Sequence, residues 1–169
     1  VPYSRASKNL NLSIIEHQSD RTNWCLAYCT AAVMRYKGVE KRAYQVMQGT
    51  RKTGEVVLDE SVMGKERLVN YMRQYGFCTV KSEESPIYAN VYSDIVSEIN
   101  RDRPLIFNIS KGSSAHAVVA RGYEDVKGTV SIWNPYYKYY ETVNSLDRYT
   151  PAEHSGVYHV TEYWYNIYK

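Results

Sequence analysis

The sequence predicts an α+β fold in which an N-terminal helical half packs on a C-terminal antiparallel sheet. Apolar residues recur at three- and four-residue spacing up to residue 100, which is typical of helices. After Pro104 they alternate with a period of two, which is typical of strands. Helices followed by strands indicate an α+β arrangement. Because 169 residues fit the usual size of one domain, we expect a single domain over 1–169, with the helical half at about 18–100 and the sheet half at about 104–169.

The helical half follows an extended segment over residues 1–17. A first helix is predicted from a cap at Thr22 or Asn23 to a stop at Gly38, because short polar residues favour helix starts and glycine favours helix ends. Gly76 is expected to stop a later helix in the same way. The other predicted helices span residues 39–48, 62–75 and 90–100.

The sheet half contains a first predicted strand in which Leu105, Phe107 and Ile109 share one face. Further strands are expected over 115–123, 128–134, 137–143 and 156–167, with turns at Lys127-Gly128, Asn134-Pro135 and Ser155-Gly156. The 18 tyrosines of the chain suit half-buried strands with one edge in water. A sugar-binding or adhesive aromatic surface is the alternative use of these side chains.

Composition and charge argue against several classes of function. The net charge is +3 and no block of like charges occurs, so a nucleic-acid partner is not indicated. No apolar run approaches the roughly 18 residues of a membrane span, so we expect a soluble chain without a membrane partner. The three cysteines, Cys25, Cys29 and Cys78, cannot all pair with one another, so at least one remains a thiol.

Cys25 stands in the first turn of the first predicted helix. Backbone N–H groups without a helical partner and the positive end of the helix dipole both favour a thiolate there, and the thiolate is the nucleophilic form of cysteine. Cys29 lies one turn further into the helix, where the field has faded, so Cys25 is the better candidate. The alternative is that both are small core hydrophobes.

A zinc site built from the three cysteines and a histidine is another interpretation. Structural zinc sites usually combine two closely spaced pairs of ligands in turns. Here Cys25 and Cys29 form one pair on a predicted helix, and no second pair follows. The sequence therefore predicts neither a metal nor an organic cofactor.

His116 is the best candidate for a general base among the four histidines. It stands at the start of an apolar strand directly after the Gly112-Ser113-Ser114 loop, where a side chain beside a flexible loop can face a cleft. His17 and His154 fall in predicted loops, and His159 falls in the terminal strand. Taken alone, a histidine at such a position can equally be a hydrogen-bonded structural residue.

Asn134 follows His116 by eighteen residues, enough for a strand, a turn and a return strand, so a hairpin can bring its amide beside the imidazole. There it would orient the ring while Trp133 shields the amide from water; it can also simply begin the turn at Pro135. Gln18 precedes Cys25 by seven residues and can help to stabilise an oxyanion together with the Cys25 N–H. Otherwise it is a surface glutamine.

These pieces together resemble the order Gln, Cys, His, Asn of the papain-like cysteine proteases. The Trp24-Cys25 helix start and the strand end Ile132-Trp133-Asn134-Pro135 are similar to those of the staphopain-type bacterial proteases, and the resemblance covers about 17–140. It implies a papain-like fold with a half-barrel sheet and a cysteine endopeptidase that works through a Cys25/His116 pair and an acyl-enzyme. Asn134 would orient the base, and Gln18 would form part of the oxyanion hole. The spacing of Gln18 departs from the family pattern, which has six residues rather than seven.

Two other functions use the same features. A thiol-based deamidase or acyltransferase toxin would form the same acyl-enzyme and differ only in the incoming nucleophile. A non-catalytic binding module would present the tyrosines to a partner or a glycan.

The resemblance implies protein or peptide substrates, with a pro-segment or an inhibitor protein as a further partner, and we expect a monomer. It also implies a virulence-associated bacterial enzyme that is secreted as a zymogen, and a start at Val1 fits removal of a pro-segment. Delivery into a host cell is the alternative, because three cysteines that are unpaired or only partly paired do not require an oxidising compartment.

Overall fold

The computed structural model describes residues 7–18, 24–50, 65–77, 80–84, 86, 88–151 and 155–169. The helices within these ranges are α1 Cys25–Tyr36, α2 Ala43–Thr50, α3 Lys65–Arg73 and α4 Tyr88–Asn100. The strands are β1 Ser7–Asn9, β2 Lys81–Glu84, β3 Leu105–Lys111, β4 Ser114–Glu124, β5 Thr129–Trp133, β6 Tyr140–Val143 and β7 His159–Tyr165. A short 3₁₀ helix, Leu146–Arg148, lies between β6 and β7. None of the described helices is long and apolar enough to cross a membrane.

The strands form one antiparallel sheet in the order β2-β7-β3-β4-β5-β6. The short β1 pairs with the end of β4, where Asn9 lies opposite Gly122. The pairing of β4 with β3 stops just before this point, at Ala120 opposite Leu105, so β1 continues the sheet beyond the start of β3. The sheet is therefore open rather than a closed barrel, and the predicted α+β fold with an antiparallel sheet is confirmed.

Helices cover both faces of this sheet. Ile106 of β3 and Val119 of β4 belong to the core that α1, α2 and α3 share, whereas Phe107 and Val118 belong to the core beneath α4. Successive strand residues point to opposite faces, so two apolar neighbours in a strand require a cover on each side. The predicted helical half is thus divided, with three helices on one face and α4 on the other.

Glycine marks the ends of α1 and α3, as predicted. Gly38 has a φ of 86°, and its N–H donates to the Arg35 carbonyl at 3.0 Å, which closes the last turn of α1. Gly76 has a φ of 95° just beyond α3. The start of α1 differs from the prediction: the N-cap position is held by Trp24, which makes no side-chain capping bond, and Thr22 and Asn23 lie outside the described residues.

β1 and β2 are the two strands that periodicity did not predict. Both are short and polar, and β2 lies at the edge of the sheet with most of its side chains exposed. β1 can approach β4 because position 122 is glycine: a Cβ there would overlap the Asn9 side-chain oxygen. The other strands match their predicted spans to within a few residues at each end.

Candidate active site

Cys25 is the first residue of α1, and its side chain is partly exposed. It packs, together with Trp24, against the core that contains Ala117 and Trp133, the chain neighbours of His116 and Asn134. No acidic residue lies in the first turn of α1, which is described in full, so no side-chain carboxylate there opposes a thiolate.

The local sequence explains why α1 can lie against the sheet. Its buried face is rich in small residues, among them Ala27, Ala31 and Ala32, which let the helix axis come close to β3 and β4. Trp24 stacks obliquely on Tyr44 of α2, with ring centroids 6.1 Å apart. The helix start is therefore held between α2 and the sheet.

Cys29 is fully buried in the same core, one turn further along α1. A buried thiol surrounded by apolar side chains is a packing residue, whereas a partly exposed thiol at a helix start can meet a substrate. Cys78, the third cysteine, lies outside the described residues.

His116 and Asn134 are brought together by the β4–β5 hairpin. In this hairpin Val119 of β4 pairs with Trp133 of β5. The turn between the strands begins at Asp125, and Gly128, with a φ of 65°, allows it to close. The imidazole Nε2 of His116 lies 2.8 Å from Oδ1 of Asn134, and both side chains are buried. A carbonyl oxygen only accepts, so Nε2 carries the proton and Nδ1 is left as the basic nitrogen.

The loop expected before His116 is a tight turn. β3 ends at Lys111 and β4 begins at Ser114, and these two residues pair directly across the turn. Gly112 has a φ of 58°, as the first central position of a type II′ hairpin requires. His116 therefore follows a two-residue hairpin turn rather than a longer loop.

The side chain that covers the His116 ring is Tyr136. The two rings stack with centroids 5.2 Å apart and an interplanar angle of 14°, and the Tyr136 N–H donates to Asn134 Oδ1 at 3.2 Å. Trp133, expected to shield the amide, is buried in the core beneath α1, and its Nε1 donates to the Tyr137 carbonyl at 2.8 Å. The role of Tyr136 could not be predicted from the sequence, because nothing there distinguishes it from its tyrosine neighbours.

Gln18 is buried, with 3% of its surface exposed, so it is not a surface glutamine. Its backbone N–H donates to the Pro135 carbonyl at 2.7 Å, which places it at the corner that follows Asn134. The structure thus gathers Gln18, Asn134 and His116 at one corner of the sheet. Cys25 is positioned separately, by α1.

The other described histidines are exposed, whereas His116 is buried. His17 is exposed, and His159 is an exposed residue of β7 whose Nδ1 lies 3.7 Å from Asp147 Oδ1. His154 lies outside the described residues. Within the described ranges no group of three or more His, Cys, Asp or Glu side chains is arranged to hold a metal ion.

Tyr149 is hydrogen-bonded to Asn134, and Glu141 is hydrogen-bonded to Tyr149 in turn. The Asn134 Nδ2 donates to the Tyr149 hydroxyl at 3.3 Å, and that hydroxyl donates to Glu141 Oε1 at 2.6 Å. Neither residue could be predicted from the sequence, because Tyr149 is one of 18 tyrosines and no spacing rule links it or Glu141 to Asn134.

Comparisons with known proteins identify a family and a similar fold. A profile of the Peptidase_C39-like family matches residues 7–163. A search of curated protein sequences gave no significant match. Among solved structures, the chain is similar to the peptidase domain of Streptococcus ComA, a bifunctional ABC transporter involved in quorum sensing, with a TM-score of 0.57 and 14% sequence identity. The alignment covers 89% of this chain and 96% of that domain.

These comparisons support the papain-like group as a whole, and they do not test the resemblance to the staphopain type. The profile spans nearly the whole chain, and the fold is that of a cysteine peptidase domain. The chain therefore belongs to the Peptidase_C39-like family, and it is a papain-like cysteine peptidase.

Proposed function

We propose that the protein is an endopeptidase in which Cys25 is the nucleophile and His116 the general base. The observation that carries this proposal is the buried hydrogen bond of 2.8 Å between His116 Nε2 and Asn134 Oδ1. It fixes the ring and directs the basic Nδ1 away from Asn134, as the base of a nucleophilic pair requires. Asn134 is the orienting residue in this scheme.

The reaction would proceed through an acyl-enzyme. The Cys25 thiolate attacks the peptide carbonyl while His116 is protonated, and the Gln18 side chain and the Cys25 N–H stabilise the oxyanion. His116 then gives its proton to the leaving amine, and the C–N bond breaks. Water, deprotonated by His116, hydrolyses the thioester and restores the thiol.

The assignment to Cys25 predicts a selective loss of activity. Cys25→Ala removes the nucleophile, so we expect cleavage of casein or a peptide library to fall at least about 1000-fold. Cys29→Ala is the matched control: it removes a buried thiol in the same helix and should lower stability by roughly 1 kcal/mol while leaving kcat within about twofold. Cleavage by Cys25→Ala at the wild-type rate would overturn the assignment.

The same experiment separates peptidase action from other thiol chemistry. Mass spectrometry of treated protein should show new peptide termini. A one-dalton change of side chains without cleavage would instead identify a deamidase, and a transferred acyl group would identify an acyltransferase. If Cys25 does not react with an epoxide-type thiol inhibitor at neutral pH, the binding-module hypothesis is favoured.

We also propose that the enzyme is of the staphopain type, a single-domain monomer that is secreted as a zymogen and contributes to virulence. The support is the residue order Gln18, Cys25, His116, Asn134 and its resemblance to that group. Fractionation of the producing cells should place the protein in the medium, with a larger precursor visible at early times. Retention in the cell without a precursor would contradict this part of the proposal.

A further inference from the structure

A chain of polar groups extends from Asn134 on the side away from His116. The Asn134 Nδ2 donates to the Tyr149 hydroxyl at 3.3 Å, and the hydroxyl donates to Glu141 Oε1 at 2.6 Å. Asn134 is fully buried and Tyr149 is nearly so. These bonds therefore lie where an unmatched polar group is costly, so their directions are strongly fixed.

The direction of each bond follows from the carboxylate at the end. A carboxylate only accepts, so the Tyr149 hydrogen is directed to Glu141 and the Tyr149 oxygen is left to accept from Asn134. Burial, followed by the hydrogen bond to Glu141, raises the pKa of Tyr149, so the hydroxyl remains a donor at neutral pH. The NH₂ group of Asn134 must then face Tyr149, and its oxygen must face His116.

The opposite amide orientation fails at both ends. Rotating the Asn134 amide by half a turn would set its NH₂ group against the Nε2–H of His116 and against the Tyr136 N–H, which now donates to Oδ1 at 3.2 Å. It would also set the amide oxygen against the Tyr149 oxygen, whose hydrogen points to Glu141. Donors would face donors and acceptors would face acceptors.

Tyr149 is itself held in place by the strands around it. Its backbone pairs with Tyr158, whose N–H donates to the Tyr149 carbonyl at 2.9 Å. The preceding 3₁₀ helix is tied to β7, because Asp147 Oδ1 accepts from the Val160 N–H at 3.1 Å. The hydroxyl therefore has a fixed position from which to orient Asn134.

We propose that Tyr149 and Glu141 are positioning residues that set the orientation of the Asn134 amide and, through it, the tautomer of His116. The inference rests on the proposed function, in which His116 uses Nδ1 as the base. It adds a second layer of residues to the site, on β6 and at the end of the 3₁₀ helix. Neither residue needs to touch the substrate.

Two substitutions test the proposal by different routes. Tyr149→Phe removes the acceptor of the Asn134 NH₂ group. Glu141→Gln supplies an amide that can donate to Tyr149, so the tyrosine hydroxyl can turn and donate to Asn134. In each variant we expect kcat to fall about tenfold, with KM changed by less than about twofold, because the lost bond orients the base rather than the substrate.

The matched control is Tyr92→Phe. Tyr92 also donates its hydroxyl to a carboxylate, Asp125 Oδ1, at 2.9 Å, but it belongs to α4 on the other face of the sheet. This variant should keep the wild-type kcat. Equal losses of kcat in Tyr92→Phe and Tyr149→Phe would overturn the proposal, since the effect would then be a general one of losing a tyrosine hydroxyl that donates to a carboxylate.

A double-mutant cycle with Asn134→Ala separates positioning from a structural role. If Tyr149 acts through Asn134, adding Tyr149→Phe to Asn134→Ala should lower kcat by less than about twofold. The same tenfold loss in both backgrounds would show that Tyr149 acts independently of Asn134, and it would overturn the proposal.

NMR of the histidine rings, recorded without substrate, keeps this inference distinct from the proposed function. Measured in the Cys25→Ala background, where no thiolate pairs with the ring, neutral His116 should be the Nε2–H tautomer, and adding Tyr149→Phe should give a mixture. That pattern, together with a wild-type protein that cleaves no peptide, would support the positioning role and overturn the proposed function. If the wild type cleaves peptides, and Tyr149→Phe and Glu141→Gln change neither the His116 tautomer nor kcat, the proposed function is supported and the positioning role is overturned.

Discussion

The segment that contains Gln18 is anchored at two points, by the backbone of Gln18 and by the side chain of Glu16. Its own N–H donates to Pro135, and Glu16, two residues earlier, accepts from the Ala43 N–H at 3.0 Å. A residue in a segment without helix or strand structure is thereby held at the corner that follows Asn134. Gln18 is anchored in this way although its spacing from Cys25 departs from the family pattern by one residue.

If Gln18 donates to the oxyanion, its loss should be felt in the transition state alone. Gln18→Ala is then expected to lower kcat about 100-fold, roughly 3 kcal/mol, with little change in KM. Steady-state kinetics with a peptide substrate measures both. Gln74→Ala, at an exposed position beyond α3, should leave both constants unchanged. A rise in KM with kcat preserved would assign Gln18 to substrate binding instead.

At the scale of elements, Arg35 joins the N-terminal segment to two helices. Its Nη1 donates to Glu16 Oε2 and to the Lys41 carbonyl, both at 2.8 Å, and its Nη2 donates to the Ser13 carbonyl at 3.1 Å. The side chain is almost completely buried, and burial lowers its pKa against the opposing influence of Glu16. One guanidinium therefore ties the segment leading to Gln18 to the end of α1 and the start of α2.

Arg35→Ala should destabilise the protein by about 3 kcal/mol, because it removes a buried guanidinium that donates to a partly buried carboxylate and to two carbonyls. Guanidinium chloride unfolding at pH 7 measures the change. Arg42→Ala removes the same charge at an exposed position nearby and should cost less than about 0.5 kcal/mol. Similar losses in the two variants would show that only the charge matters, contrary to the hydrogen-bonded role.

At the scale of the whole molecule, we expect the buried tyrosines to make the stability of the fold sensitive to alkali. The pKa is raised for seven of the described tyrosines, chiefly by burial: Tyr28, Tyr36, Tyr71, Tyr92, Tyr149, Tyr163 and Tyr165. For Tyr92 burial and the hydrogen bond to Asp125 raise the pKa to about 12. Tyr75 acts in the opposite sense, since the Lys41 ammonium lowers its pKa.

Stability should therefore fall as the pH rises above about 10, where unfolded tyrosines lose protons that the folded protein still holds. Below that pH the contribution is complete, and it is lost progressively up to the pKa values of the folded state. Unfolding by guanidinium chloride between pH 8 and about 11.5 measures the slope. Tyr163→Phe should reduce it, since the Tyr163 hydroxyl donates to Asp94, whereas Tyr139→Phe, at an exposed position, should not. A wild-type stability that rises over this range would contradict the linkage.

The sequence alone determined those features that depend on near neighbours in the chain. The periods of three to four and of two located α1 and β3, and Gly38 and Gly76 marked helix ends because only glycine adopts a positive φ at little cost. The placement of Cys25 at a helix start followed from the same local rules. The eighteen-residue interval also sufficed to pair His116 with Asn134, because a single hairpin joins them.

Tertiary structure decided the features that depend on the register of the strands and on which helix covers which face of the sheet. Strands with apolar residues on both faces must be covered twice, but their sequence does not say which helix lies on which face, so the position of α4 could not be predicted. The burial of Gln18, the stacking of Tyr136 on His116 and the bonds from Asn134 through Tyr149 to Glu141 join segments that follow no common period. They arise because sheet register, rather than distance along the chain, sets which polar side chains meet.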